Sequence, residues 1–287
     1  MGTVDIDAIV ARLHKLEEEN SRLKTLLSKH GISYEESKQE PTPVVSKSEN
    51  KDSAMQRLSL QEKVKLFRSI FKGREDVFAK RWYSDVTKKS GYQPVCEREW
   101  NSEFCDKGKY KCTECPNRLF ASLTDEHIYN HLAGKDNFGR DVVGVYPIMS
   151  DNTCNFLCTD FDDKSCEHGF QNDVLAFVGI CKEWEIPCYI ERSRSGNGAH
   201  VWIFFETPIT TTKARKLGKI ILSEAMNKDA HLSFNSYDRF FPNQDTLPEG
   251  GFGNLVALPL QGKARRDGNS VFVNEEFQSY TDQWDFL

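Results

Sequence analysis

Two short stretches carry residue types that can do chemistry together. Asp160-Phe161-Asp162 closes an apolar run from Cys154 to Thr159, and Ser195-Gly196-Asn197-Gly198-Ala199-His200 leads into a second apolar run, Val201 to Phe205. In a strand, residues two apart share a face, so Asp160 and Asp162 point the same way while Phe161 packs behind them. Carboxylates so placed are hard oxygen ligands for Mg²⁺ or Mn²⁺, and two such ions can hold the attacking and leaving oxygens of a phosphoryl transfer. The Ser/Gly/Asn turn offers backbone N–H groups to phosphate, with His200 directly behind it. Arg194 and Ser195 precede the turn and supply further donors to phosphate oxygens. An isolated Asp-x-Asp is often just a solvated strand end; its pairing with the second stretch points to metal-dependent chemistry on a nucleotide.

The elements that must position these residues follow in a regular order. A strand over 154–162 precedes a helix near 170–184 with Val174, Leu175, Phe177, Val178 and Cys181 on its apolar side. Strands 187–193 and 199–206 form a hairpin around the Gly-rich turn. A helix near 211–227 carries Ala214, Leu217, Ile220, Ile221 and Leu222, and a last strand is expected near 254–260. The order β-α-β-β-α-β is the split βαβ, RRM-like arrangement within an α+β fold, placed at about residues 142–262. In that topology the first and third strands are neighbours, so His200 is expected close to Asp160 and Asp162.

Upstream, Ser59-Leu60-Gln61-Glu62 is a capping box ahead of a helix carrying Val64, Leu66, Phe67, Ile70 and Phe71, with Gly73 as a natural stop. The folded domain therefore runs over 59–287. A helix is expected over 125–133, and strands over 142–148 and 154–160 joined by the turn Ser150-Asp151-Asn152-Thr153. Residues 33–58 are rich in Ser, Lys, Glu and Pro and read as a flexible linker. Before it, within residues 1–32, Ile6, Ile9, Leu13, Leu16, Asn20, Leu23 and Leu27 alternate at spacings of three and four. That is a coiled-coil seam with one polar a-type position, and it predicts a homodimer through residues 6–27. An amphipathic helix docked on another surface fits the same pattern.

Composition bounds the rest. The chain has 287 residues, 38% hydrophobic and 28% charged, which suits a packed core with some extra length. No apolar stretch approaches the ~18 residues of a membrane span, and the acidic start is no signal peptide. The net charge of −5 is unevenly spread: residues 59–118 hold 14 Lys/Arg against 9 Asp/Glu. Lys65, Arg68, Lys72, Arg74, Lys80, Arg81, Lys88 and Lys89 interleave there with Phe67, Phe71, Trp82 and Tyr83. Bases that track phosphates and rings that stack bases suit a single-stranded nucleic-acid template, although a solvated helix face over buried aromatics has the same composition.

Nine cysteines without a secretory signal imply reduced thiols, metal ligation and a cytoplasmic location. Cys96, Cys105, Cys112 and Cys115 lie in a loop poor in apolar residues, flanked by Lys107, Lys109 and Lys111. Four soft thiolates there predict a closed structural Zn²⁺ site over 96–115, with His127 or His131 able to replace one cysteine. Four unligated thiols are the other reading. Cys154, Cys158, Cys166, Cys181 and Cys188 are scattered and read as small core residues.

Taken together, these stretches resemble the archaeo-eukaryotic primase superfamily, the primase-polymerases, and within it the subgroup of TOTE conflict systems and CRISPR-associated primase-polymerases. Gly73-Arg74-Glu75-Asp76-Val77, Gly144-Val145-Tyr146-Pro147, Phe241-Pro242-Asn243-Gln244-Asp245 and the segment Gly253 to Gly262 extend the likeness over roughly residues 59–287. The resemblance implies template-directed nucleotidyl transfer from nucleoside triphosphates, with Asp160 and Asp162 on the catalytic metals and His200, with Arg194 to Gly198, on the phosphates. It also implies a third acid after the second helix of the unit. Asp238, in a short strand, is preferred over Asp245, a turn residue beside Pro242 and Asn243. Gln261-Gly262-Lys263-Ala264-Arg265-Arg266 resembles the family's basic turn toward the triphosphate, which makes Lys263 a phosphate candidate; an exposed basic loop would read the same. The chain stops at Gln283-Trp284-Asp285-Phe286-Leu287 without a polar tail, and relatives in conflict systems continue into helicase and nuclease modules, so such modules are expected partners in a longer parent chain.

Overall fold

In the computed structural model, residues 21–22, 24–26, 29, 58–163, 169–229 and 234–287 are described. The chain divides into two units, residues 1–55 and 56–287. In the first, Ser21, Arg22, Lys24, Thr25, Leu26 and Lys29 are helical; most of the expected seam over 6–27, the expected linker over 33–58 except Leu58, and Cys166 lie outside the described residues.

The second unit opens with α1 (Leu60–Ile70), which starts where the sequence says it should. Ser59 Oγ accepts from the Glu62 amide at 3.3 Å and Glu62 Oε2 accepts from the Ser59 amide at 2.7 Å. Two amides that the first helical turn leaves orphaned are thereby satisfied, a contribution of about 1 kcal/mol. There follow β1 (Ala79–Tyr83), β2 (Ser90–Pro94), α2 (Asp125–Ala133) and β3 (Val143–Val145). Next come β4 (Thr153–Asp162), α3 (Gly169–Glu183), β5 (Tyr189–Arg192), β6 (Gly198–Thr210) and α4 (Thr211–Lys228). The chain ends through β7 (Tyr237–Phe241), β8 (Val256–Ala257), α5 (Gly262–Arg266), β9 (Val271–Val273) and α6 (Gln283–Phe286). The result is a mixed α+β fold.

The strands form two antiparallel sheets. One has the order β2-β1-β3-β8 and the other β7-β4-β6-β5-β9. Alternation along β4 divides the core. Leu157 and Phe161 face α3 and α4, packing with Val174, Phe177, Ala214 and Ile221. Phe156 and Cys158 face the other way, where Trp202 and Phe272 meet α1 through Val64, Phe67 and the C-cap Phe71, and the first sheet through Val143, Val145 and Val256. Trp202, Phe67, Phe156 and Phe161 are fully buried, and each large ring removed from water contributes on the order of 2–3 kcal/mol. Asp160 and Asp162 continue the Phe156–Cys158 side, so the carboxylates emerge where the layer between the two sheets opens.

Two strand assignments change. The expected last strand of the unit, over 254–260, shrinks to Val256–Ala257 and pairs with β3 in the other sheet. Its place beside β4 is taken by Tyr237–Phe241. Likewise the expected strand over 142–148 is the three-residue β3 of the first sheet, so the nominal unit over 142–262 draws strands from both sheets. A short apolar run specifies that it is buried but not against which edge.

Candidate active site

Backbone register brings the polar residues into one row. Glu191 on β5 is the partner of His200 on β6, His200 of Asp160 on β4, and Asp160 of Arg239 on β7. Partners in adjacent strands project from the same face, so acid and base alternate across four strands. His200 Nε2 lies 3.4 Å from Asp160 Oδ1, and its Nδ1 lies 2.9 Å from Glu191 Oε2. Burial works against the imidazolium, but the Glu191 carboxylate and the hydrogen bonds to Asp160 and Glu191 outweigh it and raise the His200 pKa to about 10. The ring is therefore a cation facing the carboxylates.

Asp238 joins them through an irregularity. Asp160 pairs with Arg239 and Phe161 with Tyr237, so Asp238 is an extra residue of β7 in the backbone register. Strict alternation would send Asp238 to the helix-covered face, opposite Arg239. A bulge of this kind re-aims one side chain, and the Asp238 carboxylate comes within 4.8 Å of those of Asp160 and Asp162. Among the described residues this is the one grouping of three such ligands. Asp245, the alternative third acid, pairs instead with Arg215 at α4, while Thr211 Oγ1 donates to its carbonyl. Three convergent carboxylates are costly to keep together without compensating charge. His200 and Arg239, whose Nε contacts Asp238 Oδ2 at 2.5 Å, supply part of it. An all-oxygen, triply anionic donor set fits hard divalent cations of the Mg²⁺ or Mn²⁺ type.

The small-residue turn sits against this cluster. Gly198 is the partner of Asp162, and a Cβ there would meet the Phe161 carbonyl oxygen at 2.4 Å, so only glycine allows the strands this close. Gly196 has φ +83°, and Asn269 packs against it. Two turn amides are already engaged: Gly196 donates to the Ser193 carbonyl at 3.0 Å and Asn197 to Ser195 Oγ at 3.3 Å. The turn is thus less open to phosphate through its backbone than the sequence suggests, and Arg194 becomes its chief donor.

Arg194 lies beside Tyr92 and Arg81, and the Arg81 pKa is held down by burial and by that neighbouring cation. Arg81 and Tyr92 are partners in the β1–β2 hairpin, so the first sheet supplies a second wall. Along it Arg81 lies 5.8 Å from the Tyr83 ring, Tyr83 stacks on Phe138 at 5.1 Å, and Arg140 covers Phe138 at 4.8 Å. Arg81 donates to the Phe138 carbonyl and Lys263 to the Asn137 carbonyl, so both cations are tied to the 136–140 turn. Lys263 is thereby held against that turn rather than in the carboxylate row.

Cys96, Cys105, Cys112 and Cys115 line one small cavity of about 30 Å³ with Arg98, Lys107 and Arg118. Burial pushes the Cys112 thiol up, opposed by Lys107. His127 and His131 are committed elsewhere. His127 Nδ1 lies 2.9 Å from Thr124 Oγ1 at the start of α2. His131 is fully buried, with Nε2 2.8 Å from the Pro259 carbonyl and Nδ1 accepting from the Val143 amide at 3.1 Å. Neither histidine lines the cysteine cavity.

Glu191, Arg239 and Asn269 were not singled out in the sequence. Each owes its place to a partner on another strand or loop, and nothing local marks it.

A family model described as the TOTE conflict system, archaeo-eukaryotic primase domain, matches residues 62–287. Among solved structures, the chain is similar to the polymerase domain of Mycobacterium tuberculosis Ligase D in complex with DNA, at 11% identity and a TM-score of 0.43, over 70% of this chain and 73% of that one. No curated protein matches the chain.

Proposed function

The chain belongs to the archaeo-eukaryotic primase domain family of TOTE conflict systems, and from that premise we propose that it is a primase-polymerase, transferring nucleotides from nucleoside triphosphates to a growing strand on a nucleic-acid template. The observation that carries this reading is the carboxylate triad of Asp160, Asp162 and Asp238, within 4.8 Å, beside His200. We read β4 to β7, with α3 and α4, as an RRM-like unit that presents these groups.

Asp160, Asp162 and Asp238 would hold two Mg²⁺ or Mn²⁺ ions. When bound, such ions lower the pKa of an attacking hydroxyl and neutralise charge on the leaving pyrophosphate. The protein's own share is positioning and charge. His200, cationic and fixed in the row, donates toward phosphate oxygens. Arg194, with Ser195 to Gly198 beneath it, would grip the triphosphate, and Lys263, tied to the Asn137 carbonyl, would act from outside the carboxylate row. The wall of Arg81, Tyr83, Phe138 and Arg140 offers guanidinium and ring faces to unpaired template bases. The four cysteines of the 96–115 loop would bind one structural Zn²⁺, with Lys107 opposing the burial that keeps the Cys112 proton on.

Primed and unprimed single-stranded templates, incubated with labelled ribo- or deoxyribonucleotides and Mg²⁺ or Mn²⁺, test the reading. Extension or new synthesis is the expected result. An unchanged template would mean a binding module, and a shortened one a nuclease using the same acids.

A further inference from the structure

Glu191 is the least exposed charged residue of the site, 1% accessible, and the carboxylate cluster does not use it. A buried carboxylate must be fully hydrogen-bonded to be tolerated. Here a single oxygen, Oε2, accepts from two rings: His200 Nδ1 at 2.9 Å and Trp202 Nε1 at 2.9 Å. Trp202 is fully buried between Phe71, Phe156 and Phe204, with ring centroids 5.1–5.9 Å away. Its indole cannot shift without disturbing the layer between the sheets. Glu191 is therefore held by the core on one side and holds His200 on the other.

We propose that Glu191 is a positioning residue, which anchors His200 through Nδ1 so that Nε2 faces the Asp160 side of the site. This rests on the reading of His200 as a ligand of the nucleotide's phosphates. The geometry gives the imidazole one nitrogen on the core side, Nδ1, and one on the carboxylate side, Nε2. With Nδ1–H given to Glu191, the ring cannot rotate about its Cβ–Cγ bond without breaking a charge-assisted hydrogen bond in a water-poor place. Trp202 gives the anchor its rigidity, because its N–H fixes the carboxylate that fixes the ring. Orientation of this kind is what a reaction with little covalent chemistry for the protein depends on.

Two readouts test it. In the wild-type full chain, ¹⁵N-edited NMR of the histidine side chains should show a His200 Nδ1 proton shifted downfield by a carboxylate partner, and Glu191→Gln should move or abolish that signal. Nucleotide incorporation by Glu191→Gln should fall by about 10- to 100-fold, as for other groups that orient a functional histidine. In a His200→Ala background the same substitution should cost less than about twofold, because its effect passes through the ring. Losses that multiply in the double variant, or an unaltered Nδ1 proton in Glu191→Gln, would overturn the proposal. If Glu191→Gln does not fold, Glu191→Asp, which withdraws the carboxylate by one methylene, carries the same comparison. A wild-type chain without nucleotide incorporation would count against the polymerase reading, and the NMR result would still decide whether Glu191 holds His200.

Discussion

Asp160 and His200 are backbone partners on β4 and β6, and their side chains meet with Nε2 3.4 Å from Oδ1. A carboxylate that can hold a metal and a cation that can hold a phosphate are thus fixed by one register. A slip of one residue in that pairing would turn one of the two to the helix-covered face and part them.

Asp160→Asn and Asp162→Asn should each reduce nucleotide incorporation by on the order of 100-fold or more, with melting temperature in metal-free buffer unchanged or higher because like charges are relieved. The wild type should also gain thermal stability as Mn²⁺ is added, since an ion that binds only the folded chain shifts the equilibrium. Either variant retaining most of its activity, or the same Mn²⁺ shift, would remove these acids from the site.

His200→Ala is expected to act on the nucleotide and not on the template. A lost charge-assisted hydrogen bond should change kcat/KM for the triphosphate by about 10- to 100-fold, with binding of single-stranded template measured by anisotropy unchanged. Loss of template affinity with intact nucleotide kinetics would assign the histidine to the nucleic-acid groove.

Phe138→Ala should weaken single-strand binding by about tenfold, the scale of one base stacked on a ring, because Phe138 is 41% exposed at the end of the Arg81–Tyr83 stack. Equal affinity for Phe138→Ala and wild type over a range of salt would take the template off this wall.

Elemental analysis should find about one zinc per chain, lost in Cys112→Ser together with the order of the 96–115 loop. Protein prepared without chelator and free of zinc would leave the four cysteines as ordinary thiols.

His131 makes stability fall in acid. Burial holds its pKa down, to about 4, so the folded state keeps it neutral while the unfolded chain takes a proton below about pH 6.5. The contribution is full above pH 6.5 and is lost as pH falls toward 4, by about 3 kcal/mol. Urea unfolding between pH 7 and 4 should show a shallower slope for His131→Gln; an identical slope would mean that other groups carry the acid sensitivity.

What the sequence disclosed and what it withheld divide along local and non-local lines. The Ser59 capping box, the α2 helix and the alternation that aims Asp160 and Asp162 together are all written within a few residues. Gly198 is legible as a turn residue, and its need to be glycine follows from the close approach of Phe161. Glu191 sits in an unremarkable Tyr-Ile-Glu-Arg strand; only the pairing of β5 with β6 and the indole of Trp202 show its role. The strand over 254–260 failed for the same reason, since Val256 and Leu258 are apolar wherever they pack. Asp238 does come together with Asp160 and Asp162, but through a bulge that the sequence does not mark, since an alternating strand would have hidden it.

That last point can be put in terms of chain length. Asp238 is the one residue by which β7 exceeds β4 across their pairing. Deleting it, rather than substituting it, would let Arg239 follow Tyr237 directly and close the ladder into an uninterrupted antiparallel pair. Such a chain should have a more regular sheet and one carboxylate fewer at its mouth. In this fold a single extra residue separates an uninterrupted strand pair from a three-acid centre.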